Sequence, residues 1–162
     1  MKRTLEAINA MRGDGTVTEY AIGGAMALSF RADPVTTFDL DVFVTLPASG
    51  SRISLSGVYD WAKGHGYAAE HEHLMIAGTP VQVIPAHSDL VEEAIQTAAT
   101  LDYDGVPVRV MLPEYLAALS LESSARSSKR IARVRSMLED GVVDRRRLVS
   151  LAERFGLRLP EE

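Results

Sequence analysis

The sequence lacks cysteine altogether and contains no apolar run long enough to cross a membrane. Without cysteine the chain can form no disulfide framework, no zinc–thiolate centre and no thiol nucleophile. Residues 1–6 reach an acidic residue before any apolar run develops, which is not the pattern of a secretory signal. We therefore expect a cytoplasmic protein with no membrane-spanning segment.

Basic residues are scarce over most of the chain and are concentrated near its end. Residues 1–125 hold 7 Lys and Arg against 16 Asp and Glu, a net charge of −9, whereas residues 126–162 hold 10 against 6, a net charge of +4. The two parts sum to the overall charge of −5. A basic C-terminal part indicates either an anionic partner or ordinary exposed helices rich in arginine, and the charges alone leave both open.

The chain has 162 residues, of which 46% are hydrophobic, enough for one α/β core with a helical extension. Apolar periodicity predicts an α/β (α+β) fold: a small mixed sheet with flanking helices over residues 1–112, then two C-terminal helices packed on it over residues 113–162. The predicted strands are residues 19–22, 38–46, 67–76, 81–84, 101–103 and 106–110. The predicted helices are residues 3–12, 25–30, 54–63, 89–98, 113–139 and 144–156.

Two acids, Asp39 and Asp41, interrupt the apolar pattern of the strand predicted over residues 38–46. Because side chains alternate along a strand, both carboxylates are predicted to share one face, with Cα atoms about 6.6 Å apart. Carboxylates this close repel each other, and a divalent cation between them would remove the repulsion. Oxygen ligands favour Mg²⁺ or Mn²⁺ over zinc, so the pattern predicts a hard-metal site. The alternative is two solvent-facing acids on an edge strand.

Gly23 and Gly24 lie between a predicted strand and a short predicted helix. Glycine has no side chain, so a phosphate could approach this turn closely, and the N–H groups that open a helix favour an anion. An ordinary tight turn would use the same residues. Taken together, the glycine pair and the acid pair predict phosphoryl chemistry more strongly than either does alone.

The segment Ile22-Gly23-Gly24 and residues 37–42 together resemble the signature of the polymerase-beta-like nucleotidyltransferase superfamily. More narrowly, they resemble the small bacterial group that includes AbiEii-type toxins, which implies a bacterial protein with a toxin–antitoxin-like role. Residues 81–85 are similar to the strand that carries a third acid in this family, and residues 108–116 are similar to its strand-to-helix junction.

This resemblance implies a transferase that uses Mg²⁺ (or Mn²⁺) and moves a nucleoside monophosphate from an NTP to an acceptor hydroxyl, with release of pyrophosphate. It implies that Asp39 and Asp41 are the catalytic residues and the metal ligands. The implied nucleotide contacts are Gly23, Gly24, Arg31 and Thr37.

Gln82 stands where the family has its third acid. A neutral amide cannot act as a general base and is a weak ligand of Mg²⁺. A second interpretation is therefore a non-catalytic module that binds a nucleotide or a partner at a degenerate site. A metal-dependent phosphohydrolase that uses the same two acids is a third interpretation.

Two further features are candidates for function. Lys129 and Arg130 lie on a predicted helix and could contact an RNA or another anionic acceptor, although a solvated helix face explains them equally well. His73 lies on a predicted strand, and a hairpin that turned at Gly78-Thr79 would bring it towards the acids on the face of Gln82. From there His73 could act as a base.

Overall fold

The computed structural model describes residues 1–30, 39–48, 52–122 and 127–161. It confirms the predicted α/β class, because the described residues form one mixed sheet of seven strands together with seven helices. The strands are β1 (Glu19–Gly23), β2 (Leu40–Thr45), β3 (Ala68–Glu70), β4 (His73–Ile76), β5 (Thr79–Pro85), β6 (Ala99–Tyr103) and β7 (Val106–Val110). The helices are α1 (Lys2–Gly13), α2 (Gly24–Ser29), α3 (Ser56–Gly64), α4 (Asp89–Gln96), α5 (Pro113–Leu121), α6 (Ser128–Glu139) and α7 (Arg145–Phe155).

The strands of the sheet follow the order β3-β4-β5-β2-β1-β7-β6. The central strand β2 runs antiparallel to β1 and parallel to β5. A parallel pairing joins β1 to β7, and antiparallel ladders complete the sheet on both sides. Each side chain of β2 therefore has neighbours from a strand on either side.

Alternation along β2 decides which of its side chains enter the core. Leu40, Val42 and Val44 are at most 2% exposed. Burial of each such aliphatic side chain contributes about 1.5–3 kcal/mol before the loss of conformational entropy is subtracted. Asp41 and Phe43 occupy the alternate positions and are half-buried. The pattern that fixes the core thus also fixes the face on which Asp41 lies.

The described chain forms two compact units, Met1–Met111 and Leu112–Glu162. The first unit contains the whole sheet and helices α1 to α4, and the second contains α5 to α7. Among the helices of the described residues, none combines the length and the apolar character that a membrane crossing requires.

The long helix predicted over residues 113–139 is wrong, because α5 ends at Leu121 and Glu122 takes an extended ψ of 141°. The next helix, α6, begins at Ser128, and the Ser127 hydroxyl accepts a hydrogen bond from the Arg130 backbone N–H. A serine in this position satisfies an otherwise unpaired N–H group and favours a helix start. Among its described residues, the second unit therefore has three helices where two were predicted.

The single strand predicted over residues 67–76 is also wrong. His71 has a φ of 55°, and the chain reverses so that Glu70 pairs with His73. This stretch therefore forms two antiparallel strands, β3 and β4, with an additional turn that apolar alternation did not indicate.

The following hairpin turns at Ala77 and Gly78, one residue earlier than predicted. Both residues have positive φ, of 49° and 82°, as a two-residue hairpin turn of type I′ requires. Met75 consequently pairs with Pro80. Continuing the ladder in the same register brings His73, the first residue of β4, beside Gln82 of β5.

Candidate active site

The two acids predicted to hold a metal lie at the start of β2. Asp41 is the second residue of the strand and pairs with Gly23 of β1 and with Gln82 of β5. Asp39 precedes the strand, and 57% of its side chain is exposed. Both acids therefore lie at one end of β2, but strand pairing fixes Asp41 and leaves Asp39 outside the ladder.

Gly24 leaves the space that the Asp41 carboxylate occupies. Its φ of +61° is in the left-handed region that favours glycine. A Cβ atom on Gly24 would collide with Oδ2 of Asp41 and would lie 3.1 Å from its Cγ. The carboxylate thus rests directly against the backbone at the start of α2, in space that the side chain of any other residue would need.

At Gly23 the absence of a side chain lets Phe43 and Met111 pack close to the backbone. A Cβ atom on Gly23 would lie 2.5 Å from Cε2 of Phe43 and 3.4 Å from Sδ of Met111. Gly23 is buried and also precedes the six-residue helix α2, which has no side-chain cap. The predicted phosphate turn therefore has a packing reason for both of its glycines, which sequence patterning did not reveal.

A row of polar residues crosses the sheet beside Asp41. Gln82 is its partner on β5, and His73 follows on β4, one position beyond the pairing of Leu74 with Val81. Neighbouring strands are about 4.8 Å apart, so this row spans about two strand spacings. The Nε2 atom of His73 comes within 3.9 Å of Oδ2 of Asp39. His73 therefore does approach an acid, and its role as a base stays a prediction.

The ligand atoms at this site suit a hard cation. Asp39 and Asp41 offer carboxylate oxygens and Gln82 an amide oxygen, a donor set that fits Mg²⁺ or Mn²⁺ better than zinc. Within residues 1–30, 39–48, 52–122 and 127–161, no group of three or more His, Cys, Asp or Glu side chains could hold a metal ion. A cation bound by the two acids would therefore need water or phosphate oxygens to complete its coordination.

The remaining predicted contacts lie either outside the described residues or in the second unit. Arg31 and Thr37 lie outside the described part of the chain. Lys129 and Arg130 are exposed in the first turn of α6, in the second unit. Their exposure agrees with a solvated helix face and with an anion site alike, so the anion contact stays a prediction.

A polar network that no sequence pattern indicated lies at the start of β1. The Glu19 carboxylate is 3.0 Å from Nε of Arg12 and 2.9 Å from Nε of Arg109. Arg109 also donates hydrogen bonds to the backbone oxygens of Tyr20 and Ile95, at 3.1 and 2.7 Å. These groups come from four different elements, so no local spacing in the sequence relates them.

The hydroxyl of Tyr20 extends this network towards α1. It donates a hydrogen bond to Oδ1 of Asn9 at 2.7 Å and accepts one from the backbone N–H of Arg109 at 3.2 Å. The Asn9 amide in turn donates to the backbone oxygen of Pro107 at 2.7 Å. Burial raises the pKa of Tyr20 above its ordinary value of 10.0. The network ties α1, β1 and β7 together within the unit that carries the two acids.

The sequence matches no protein-family model and no curated protein. Solved structures resemble it at low identity. The solution structure of the antibiotic-resistance factor ANT(2'')-Ia is 19% identical, with a TM-score of 0.50 over 94% of this chain and 89% of that one. The crystal structure of ANT(2'')-Ia with adenylyl-2''-tobramycin is 18% identical, with a TM-score of 0.50 over 96% of this chain and 99% of that one.

A third similar structure is an antigenic nucleotidyltransferase-like protein from Paracoccidioides brasiliensis. It is 16% identical, with a TM-score of 0.52 over 94% of this chain and 84% of that one. Likeness at these identities concerns the fold, since fold does not by itself carry function. The chain therefore has a nucleotidyltransferase-like fold.

Proposed function

We propose that the protein is a Mg²⁺-dependent nucleotidyltransferase of the polymerase-beta-like superfamily. The observation that carries the proposal is the junction of β1, α2 and β2, where the Asp41 carboxylate rests against Gly24 with Gln82 beside it. A carboxylate in this position offers oxygen ligands to a cation beside the turn between β1 and α2. The nucleotidyltransferase-like fold supports the same assignment.

In this proposal Asp39 and Asp41 hold the cation, because they are the two carboxylates at the start of β2. Mg²⁺ or Mn²⁺ would neutralise charge on the phosphates and orient them for in-line attack. The proposed nucleotide contacts are Gly23, Gly24, Arg31 and Thr37.

The reaction transfers a nucleoside monophosphate. The acceptor hydroxyl oxygen forms a bond to the α-phosphorus of the NTP, the bond from that phosphorus to the bridging oxygen breaks, and pyrophosphate leaves with the electron pair. The proton of the hydroxyl group must also be released. The amide of Gln82 cannot take this proton. Either His73, whose role as a base stays a prediction, or water would have to accept it, and without a third carboxylate we expect slow turnover.

Gln82 also favours a second candidate function, a non-catalytic module that binds a nucleotide without turning it over. The register places this amide directly beside Asp41. Among the described residues, this site offers two carboxylates and an amide as oxygen ligands, with Gln82 at the position where a third carboxylate would act as a base. Both candidates therefore predict that the protein binds a nucleotide, and the transferase alone predicts that the nucleotide is turned over.

Transfer of label from α-labelled NTP to an acceptor tests the catalytic candidate. We expect slow Mg²⁺-dependent transfer by the wild type and at least a tenfold loss in Asp41→Ala, which removes a charge-neutralising ligand. Asp60→Ala is the matched control, because Asp60 is an exposed acid on α3. Equal rates in the wild type and Asp41→Ala would contradict the assignment.

Thermal stabilisation by NTP tests the binding that both candidates share, and the transfer assay then separates them. Both predict a Mg²⁺-dependent rise in melting temperature, since a ligand at about 100 times its Kd stabilises by about 2.7 kcal/mol. The binding module predicts this rise with no transfer, and Gln82→Glu should then gain transfer by restoring an acid. If no NTP raises the melting temperature in the presence of Mg²⁺, both candidates are wrong.

The same assay can identify the acceptor. ANT(2'')-Ia was solved with adenylyl-2''-tobramycin, so ATP with tobramycin is the first pair to test. A short RNA is the second acceptor, because Lys129 and Arg130 are exposed cations. The AbiEii-like subgroup, its bacterial toxin–antitoxin role and a cytoplasmic location stay predictions from the resemblance and the sequence.

A further inference from the structure

The two acids of the proposed site are held in place by different means. Asp41 is paired on both sides in the sheet, and its carboxylate packs against Gly24. Asp39 precedes β2, with 57% of its side chain exposed. Among the described residues, the one side chain within ion-pair distance of the Asp39 carboxylate is that of His73, with Nε2 3.9 Å from Oδ2.

His73 reaches Asp39 from a strand that is fixed on both sides. On one side it pairs with Glu70 of β3, and on the other the adjacent residue, Leu74, pairs with Val81 of β5. Leu74 is 2% exposed, which anchors this end of β4 in the core. The imidazole is itself 23% exposed, so it is placed with less freedom than the carboxylate it faces.

We propose that His73 is a positioning residue for Asp39, an inference that rests on the proposed function because it takes Asp39 as a cation ligand. In this arrangement the imidazole would donate from Nε2–H towards Oδ2 of Asp39, which would leave Oδ1 for the cation. At 3.9 Å the atoms are beyond direct hydrogen-bond length, so a small rotation of the exposed Asp39 side chain would be needed to form the bond.

Such a contact would orient the Asp39 carboxylate before a cation binds. An exposed carboxylate samples several rotamers and must give up this freedom when it binds a cation, whereas a carboxylate held by a fixed donor has already lost part of it. Hydrogen-bond partners of metal ligands generally contribute about 10–100-fold to metal affinity. With Gln82 in place of a third acid, the described residues offer the cation two carboxylates, so the orientation of each matters more.

The test measures the Kd of Mn²⁺ alone for the full chain, by the EPR signal of the free ion. We expect His73→Ala and His73→Phe to weaken binding about tenfold, since both remove the N–H donor and Phe retains a ring. We expect His73→Gln, whose amide N–H can replace Nε2–H, to stay within about threefold of the wild type. His87→Ala is the control, because His87 is an exposed histidine that follows β5 and lies outside the turn before His73.

A double-mutant cycle shows whether His73 acts through Asp39. In the Asp39→Ala background, His73→Ala should weaken Mn²⁺ binding no further. A further loss would mean that His73 binds the ion itself. Equal affinities of the wild type and His73→Ala would mean that His73 does not contribute to Mn²⁺ binding. Either result overturns the positioning role and leaves the proposed metal site standing. A wild type that binds no Mn²⁺ overturns the proposed metal site as well. Melting curves without metal verify that each variant is folded.

Discussion

At the scale of single residues, the candidate site depends on Gly24, which has no side chain. Gly24 combines a left-handed backbone with direct contact to the Asp41 carboxylate. The sequence predicted this glycine as part of a phosphate turn, and the structure adds that Asp41 fills the space beside it. A single methyl group at this position would therefore disturb the backbone and a proposed metal ligand together.

Gly24→Ala should destabilise the protein and also displace Asp41. A Cβ in the left-handed region costs about 1–2 kcal/mol, and the collision with the carboxylate adds to this. Gly156→Ala is the matched control, because Gly156 has a φ of 64° and no neighbouring atom within 4 Å of the position that a Cβ would take. Urea unfolding should show the larger loss for Gly24→Ala, and Mn²⁺ titration should show weaker binding in that variant alone. Equal losses of stability would contradict this account.

At the scale of secondary structure elements, local patterns predicted the strands of the central sheet well. β1, β2, β5 and β7 lie within about two residues of their predicted bounds, because alternation and glycine punctuation are properties of neighbouring residues. The errors occur where a single residue ends an element. Ser127 caps a new helix inside the predicted long one, and the turn at His71 divides a predicted strand.

In the second unit, a hydrogen bond between α5 and the start of α7 leads to a testable prediction about stability. Glu114 of α5 is 7% exposed, and its Oε1 accepts a hydrogen bond of 3.0 Å from the backbone N–H of Asp144, the residue that caps α7. The Asp144 carboxylate accepts from the N–H of Arg147 at 3.0 Å. A buried carboxylate on one helix thus satisfies the start of another.

Glu114→Ala should destabilise the second unit by about 1–3 kcal/mol, because it leaves the N–H of Asp144 without its partner. Glu114→Gln should cost less, since its amide oxygen can still accept the bond. Glu153→Ala, an exposed acid on α7, is the control and should change stability little. Chemical unfolding followed by far-UV circular dichroism measures all three. A loss for Glu153→Ala as large as that for Glu114→Ala would refute the assignment.

At the scale of the whole molecule, the polar network around Tyr20 makes stability depend on pH. Burial raises the pKa of Tyr20, so above about pH 10 the unfolded chain releases this proton more readily than the folded one. The unfolded state then binds fewer protons, and the free energy of unfolding falls as the pH rises. The contribution of Tyr20 to stability is complete below the pKa that its hydroxyl has in the unfolded chain. It is lost as the pH rises through the pKa that the hydroxyl has in the folded protein.

Tyr20→Phe should therefore flatten the alkaline loss of stability. One proton corresponds to a slope of at most about 1.4 kcal/mol per pH unit, so urea unfolding between about pH 9 and 11 can resolve the difference. At neutral pH the variant should be less stable by about 1–3 kcal/mol, because Asn9 and the N–H of Arg109 lose a partner. Identical alkaline slopes for the two proteins would contradict a raised pKa.

The sequence by itself determined the α/β class, the central strands and the residues proposed to carry the chemistry, Asp39 and Asp41 beside Gly23 and Gly24. These follow from periodicity and residue type, which act between neighbours in the chain. The tertiary structure alone decided that Asp41 fills the space left by Gly24, that Gln82 lies beside it and that His73 reaches Asp39. Such contacts depend on strand order and register, because those bring together groups that are far apart in sequence.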